Sequence, residues 1–151
     1  SKKLSALQRE KLFALIKAKA TAVSIGVVSH QIIDRINILQ ATFVAMRKAV
    51  QSAKVSPSYL MVDGKFPLPG LSTPQEAIIS GDSKIFTIAA ASIIAKVSRD
   101  YLMAEIDKKY PQYNFAQHKG YGTKLHLAKI AEHGPAPVHR RSFTPIKDYI
   151  K

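Results

Sequence analysis

The chain alternates between two hydrophobic periods. Leu4, Leu7, Leu12, Leu15 and Ile16 recur at roughly helical spacing behind Ser5, a residue type that caps helix starts, and predict a helix over residues 5–19. Val23, Ile25 and Val27 then alternate with smaller residues, the two-residue period of a strand over 22–28. Ser29 opens a short helical turn, and 36–52 form a longer helix with a polar outer face. A strand at 59–63 runs into a loop at 64–74, where Pro67 and Pro69 preclude a regular ladder, followed by a short extended piece at 76–80. Residues 87–110 read as one long helix that Pro111 ends. A glycine-containing loop at 116–122 leads to a helix over 123–133, stopped by Gly134, Pro135 and Pro137, and another short helix closes the chain.

Strands alternating with helices predict an α/β fold, a sheet flanked by helices with a helical C-terminal part. The length suits a single domain over residues 1–151. Only two or three strands are convincing, few for a sheet covered by so many helices. Strands belonging to the fold are therefore expected to be absent from this sequence.

Two carboxylates stand out by position. Asp63 ends the strand-like YLMVD, and Asp82 follows the apolar run 77–79 and Gly81. Magnesium-type cations take hard oxygen ligands, and two-metal phosphoryl-transfer sites gather Asp and Glu around ions roughly 3.5–4 Å apart. The alternative makes Asp63 an Asx-turn residue before Gly64 and Asp82 a helix cap. Asp100, beside Arg99 inside the long helix, suits a surface ion pair, and Glu105 and Asp107 suit solvent. The histidines at 30, 118, 126, 133 and 139 lack tight zinc spacing and are read as no metal's ligands. The absence of cysteine excludes disulfides and thiolate chemistry and fits a reducing cytoplasm.

Charge gives the strongest global signal. The 23 Lys and Arg against 10 Asp and Glu leave a net charge of +13, which attracts polyanions, nucleic acid above all. No apolar stretch is long enough to span a bilayer. In FAQHKGYGTKLH, His118, Lys119, Tyr121 and Lys124 surround two glycines ahead of a helix, a pattern that suits phosphate and base contact as well as a plain loop with Tyr121 packed on the core. GYGTK lacks the glycine and lysine order of a phosphate-binding loop. HRRSF adds Arg140 and Arg141, suited equally to phosphate contact and to plain surface charge.

Taken together, SKKLS at the start, DRINILQAT at 34–42, VDG at 62–64, GD at 81–82, AAASIIAKVSRD at 89–100, FAQHKGYGT at 115–123 and HRRSF at 139–143 closely resemble bacterial ribonuclease HII over essentially the whole chain. The resemblance implies a ribonuclease H-like fold with a mixed sheet, and a monomeric endonuclease that hydrolyses the RNA strand of RNA–DNA hybrids. It also implies cutting 5′ to ribonucleotides embedded in duplex DNA, with Mg2+ or Mn2+ as cofactor. Asp63 and Asp82 match two of the family's four metal-binding acids, which makes them the catalytic and metal residues. Tyr121 matches the tyrosine that stacks on the sugar at the RNA–DNA junction. Lys2 and Asn37 match substrate-backbone contacts, with Lys119, Arg140 and Arg141 as further substrate-binding residues, while Asp100 is structural. The family's upstream Asp-Glu and Gly-Arg-Gly motifs are not in this sequence, so the chain is expected to be a C-terminal portion with little or no activity alone. The competing expectations are a basic nucleic-acid-binding module without catalysis and a purely structural basic protein.

Overall fold

A computed structural model of the chain describes residues 4–149. It has seven helices, α1 (Ala6–Lys19), α2 (His30–Ile36), α3 (Ile38–Gln51), α4 (Phe86–Lys109), α5 (Phe115–His118), α6 (Lys124–His133) and α7 (Ile146–Tyr149). Two strands, β1 (Leu60–Asp63) and β2 (Gln75–Ile78), pair in parallel with Leu60 opposite Gln75 and Asp63 opposite Ile78. Single 3-10 turns lie at Gly81–Ser83 and Pro111–Tyr113.

The chain separates into two compact units. The first comprises the residues up to Val28 with Ile38–Val97, and the second comprises Ser29–Asn37 with Ser98 onward.

In the first unit, α1 begins as its sequence predicts. Ser5 Oγ accepts from the Gln8 N–H at 3.2 Å, and the Gln8 side chain accepts from the Ser5 N–H at 2.8 Å, which satisfies two donors that a helix start otherwise leaves open. The predicted helix over 36–52 starts later, because Asn37 takes φ 67° and separates α2 from α3. The loop between the strands is fastened by Gln75, whose amide accepts from the Leu68 N–H at 2.7 Å and donates to the Leu68 carbonyl at 3.0 Å. Leu68 is thereby held in the core with Val62, Ile88, Ile93, Ile94 and Val97.

The strand predicted over 22–28 is a correction. The segment joins no ladder among the described residues, although its alternation is real. Ser24 and Gly26 face α3: Ser24 Oγ donates to the Ala49 carbonyl at 2.5 Å, and a Cβ on Gly26 would stand 1.8 Å from the Ala45 carbonyl oxygen. Only glycine lets the two backbones approach so closely. Val23, Ile25 and Val27 consequently lie on the other side and are exposed, Val27 to 59%. Side-chain alternation specifies an extended backbone, but a strand also needs a neighbour to pair with.

The second unit is built around Met103, Tyr113, Phe115 and Ala136, with Ile106, Tyr110 and Val138 packed against them. Tyr113 and Phe115 stack at 5.3 Å between ring centroids, and the Tyr113 hydroxyl donates to the Gly134 carbonyl at 2.8 Å. Burial holds the Tyr113 hydroxyl above its ordinary pKa. Thr123 caps α6 by accepting from the His126 N–H, and Gly134 ends it, the latter as the sequence predicts.

Candidate metal and nucleic-acid sites

Asp63 stands at the C-terminal end of β1, the end at which parallel α/β sheets place their ligands. Its Oδ1 accepts from the Gly81 N–H at 2.8 Å. That bond reaches across eighteen positions, so Asp63 does not form the local Asx turn of the alternative reading. Ser80 adopts a left-handed conformation, φ 56° and ψ 40°, that turns the chain into the 3-10 turn Gly81–Ser83. Asp82 lies within this turn, four residues before α4 begins, and is not the cap of that helix. The clamp therefore sets Asp82 on the residue adjoining the one that Asp63 holds.

Gly81 is buried, and a Cβ there would meet Ile88 Cδ1 at 2.6 Å and Asp63 Oδ1 at 3.5 Å. A side chain would thus press on the end of the buried Ile88 side chain and reach the clamp only in ordinary van der Waals contact. Asp63 is exposed and Asp82 half-buried, so neither carries the desolvation cost of a carboxylate in a core. Among the described residues, Asp63 Oδ2 takes no hydrogen bond. The open Oδ2 of Asp63 and the Asp82 carboxylate on the adjoining segment are hard oxygen donors of the type that a magnesium-type cation takes as ligands. Among the described residues, no third His, Cys, Asp or Glu groups with them.

The remaining candidates, apart from Lys2, fall in the second unit. Lys2 lies outside the described residues. Tyr121 is 56% exposed and is not packed on the core. It follows Lys119 at φ 54° and Gly120 at φ 76°, two left-handed residues that lift the loop ahead of α6. Arg99 Nη2 donates to the Lys119 carbonyl at 3.3 Å. Asn37 is exposed at the end of α2.

Arg140 lies over the Phe143 ring, 3.8 Å from its centroid. Burial and then the neighbouring Arg99 guanidinium lower its pKa, with Asp34 opposing them. An arginine stays charged under such pressure, so Arg99 and Arg140 make a region of crowded positive charge that an anion would relieve. Asp100 interacts within the fold, and Asp107, expected in solvent, keeps Oδ1 buried without a partner among the described residues.

Two features were not singled out from the sequence. Asp34 in α2 accepts from the Arg141 N–H and the Ser142 N–H, each at 2.9 Å, and from Ser142 Oγ at 2.5 Å. Burial raises its pKa, but these hydrogen bonds and the charge of His30 outweigh burial and leave it lowered. Asp34 thus sets the backbone of the loop that carries both arginines. DRIN alone offered no sign of a partner 107 positions away. The second feature is a buried cluster of His118, His126 and His139, drawn from three separate segments.

No helix among the described residues is long and apolar enough to cross a membrane. The family model of ribonuclease HII matches residues 1–146. Ribonuclease HII of Geobacter sulfurreducens is 53% identical over 150 residues, covering 99% of this chain and 69% of the relative. That of Bacillus anthracis is 54% identical over 152 residues, covering the whole chain and 58% of the relative. The crystal structure of ribonuclease H2 from Pyrococcus horikoshii superposes with a TM-score of 0.77 at 24% identity, covering 99% of this chain and 78% of that one, which shows the shared ribonuclease H-like α/β fold. A family model that matches nearly the whole chain and relatives more than half identical to it over that length show one thing together: this chain belongs to the ribonuclease HII family.

Proposed function

We propose that the chain belongs to a divalent-metal-dependent endoribonuclease that hydrolyses the RNA strand of RNA–DNA hybrids and cuts 5′ to a ribonucleotide embedded in duplex DNA, leaving a 3′-hydroxyl and a 5′-phosphate. The reading rests on family membership and on one observation above all, the Gly81 N–H held by Asp63 Oδ1, which ties the segment carrying Asp82 to the strand end that carries Asp63. Asp63 and Asp82 would hold Mg2+ or Mn2+. A cation bound there activates water and stabilises charge developing on the leaving 3′-oxygen. The chain's own residues do the rest. Tyr121 offers an exposed ring to stack on the junction sugar and a hydroxyl to read the ribose 2′-OH, the group that distinguishes RNA from DNA. Asn37, Lys119, Arg140 and Arg141 contact the substrate backbone, Arg141 from a loop that Asp34 fixes. The proposed enzyme works as a monomer in the cytoplasm.

The net charge of +13 also favours a second reading, a basic module that binds nucleic acid without cleaving it and whose affinity falls steeply with salt. Cleavage of a labelled duplex carrying one ribonucleotide, by the full gene product with Mg2+ and then Mn2+, separates the two. Asp63→Asn and Asp82→Asn should each abolish cutting while duplex binding persists. Normal cleavage by either variant would remove the site assignment, and binding without metal-dependent cleavage by the parent protein would favour the second reading.

A further inference from the structure

Three histidines occupy the interior of the second unit: His118, His126 and His139 are 5%, 6% and 8% exposed. The rings of His118 and His126 stack at 4.1 Å with 16° between their planes, and His126 and His139 follow at 5.3 Å and 24°. Phe115 closes the cluster, edge-on to His118 and His126.

Their hydrogen bonds determine every tautomer. His126 Nδ1 lies 2.9 Å from the Tyr121 carbonyl oxygen, which can only accept, so Nδ1 carries the proton. The bare Nε2 of a neutral His126 is then an acceptor, and the only proton available to its 3.0 Å contact with His139 Nε2 belongs to His139. His139 Nδ1 is therefore bare and accepts from the Ala136 N–H at 2.8 Å, the shorter of its two contacts with that residue, the Ala136 carbonyl oxygen standing at 3.2 Å. His118 is fixed independently, with Nε2 donating to the Tyr113 carbonyl at 2.7 Å and Nδ1 accepting from the Gly120 N–H at 3.2 Å.

The cluster converges on one peptide unit. The Tyr121 N–H donates to the His118 carbonyl at 2.9 Å, and the Tyr121 carbonyl accepts from both His126 Nδ1 and the Thr123 N–H, the latter at 2.8 Å. Both backbone polar groups of Tyr121 are thus held by histidines whose own nitrogens are all committed, while its ring remains exposed.

We propose that His126 is a positioning residue for Tyr121, kept in its Nδ1–H form by a relay through His139 and Ala136, and that this relay sets the exposed ring for discrimination of ribose from deoxyribose. The inference rests on the proposed role of Tyr121. It follows that a proton on His126 Nε2 would face the His139 N–H, and a proton on His139 Nδ1 would exchange the bond from the Ala136 N–H for one to the Ala136 carbonyl oxygen, so either protonation changes the relay. Burial lowers the pKa of both histidines, opposed in each by a backbone carbonyl. His118 acts on both, and His126 and His30 act on His139. Neither an arginine nor a carboxylate is among the groups acting on either ring.

Two measurements test the proposal. Two-bond nitrogen–proton correlation spectra of the 15N-labelled chain near neutral pH should show His126 protonated at Nδ1, with His118 and His139 protonated at Nε2. A proton on His126 Nε2 would overturn the relay. The second measurement compares affinities for a duplex with one ribonucleotide and for its all-DNA counterpart. His126→Asn keeps an amide near the Nδ1 position, whereas His126→Gln moves it to the Nε2 position and abandons the Tyr121 carbonyl. His126→Gln should cut the affinity ratio about tenfold, the worth of one hydrogen bond near the upper end of its usual range, and His126→Asn should cut it far less. Equal losses in both variants, or no loss in either while Tyr121→Ala loses the ratio, would overturn the positioning role. If Tyr121→Ala leaves the ratio unchanged, the ribose-reading role of Tyr121 fails. The relay is then judged on the tautomers and on hydrogen exchange at the Thr123 amide, which His126→Gln must accelerate and His126→Asn must not.

Discussion

Replacing Asp34 by alanine removes one carboxylate and leaves three donors without their acceptor: the Arg141 and Ser142 N–H groups at 2.9 Å and Ser142 Oγ at 2.5 Å. Arg141 and Ser142 are exposed, so water can take over each bond and the net worth of each falls toward the lower part of the usual range. At about 0.5–1 kcal/mol apiece the loss is about 1.5–3 kcal/mol, and the loop carrying Arg140 and Arg141 loosens with it. Asp34→Asn keeps one acceptor oxygen and should lose roughly half as much. Urea unfolding of the three proteins reads the stabilities, and titration with a labelled duplex reads the effect on the arginines, which should weaken binding in the same order. An Asp34→Ala variant within about 0.5 kcal/mol of the parent would refute the reasoning, because that is the scatter of ordinary surface substitutions. So would an Asn variant as damaged as the Ala variant, since it would make charge and not hydrogen bonding the cause.

Gly26→Ala places a Cβ 1.8 Å from the Ala45 carbonyl oxygen and 2.9 Å from the Ala49 N, both backbone atoms that cannot swing aside. It should destabilise by about 3 kcal/mol or more, the upper end of the overpacking range, and an unfolding midpoint equal to the parent's would contradict the packing of residues 22–28 on α3. The pH dependence has a defined sign. His126 and His139 have lowered pKa values in the folded chain, so below the ordinary histidine value near 6.5 the unfolded chain takes up protons that the folded one refuses. Their contribution is complete above that pH and erodes as pH falls below it. Asp34, also lowered, withdraws its contribution only further down, below the ordinary carboxylate range. Urea midpoints should therefore decline between pH 7 and pH 5 and again below about pH 4, and a flat profile across the first interval would contradict neutral buried histidines.

The parts legible in the sequence are those set by local chemistry. Ser5 caps the helix it was expected to cap, Pro111 follows the end of α4, and Gly134 closes α6. Asp63 and Asp82 were singled out because each follows an apolar run, and the fold sets them on adjoining segments. The parts that escaped depend on what meets across the chain. Residues 22–28 carry strand periodicity, but pairing needs a neighbour that periodicity does not name. Asn37 split a continuous helical pattern by taking a left-handed φ, which asparagine tolerates and a hydrophobic period does not reveal. The histidines were tested for metal spacing and set aside, and no spacing rule brings together side chains from α5, α6 and a C-terminal loop. Asp34 lies in DRIN, yet its partners are more than a hundred positions away.

The centre of the account is that Asp63 and Asp82 together hold a divalent cation, and the most direct test is paramagnetic broadening of the chain's amide signals by substoichiometric Mn2+. The account predicts losses centred on residues 62–64 and 80–83, competed away by excess Mg2+ and absent from Asp63→Asn. Broadening centred elsewhere, or unchanged in Asp63→Asn, would contradict it.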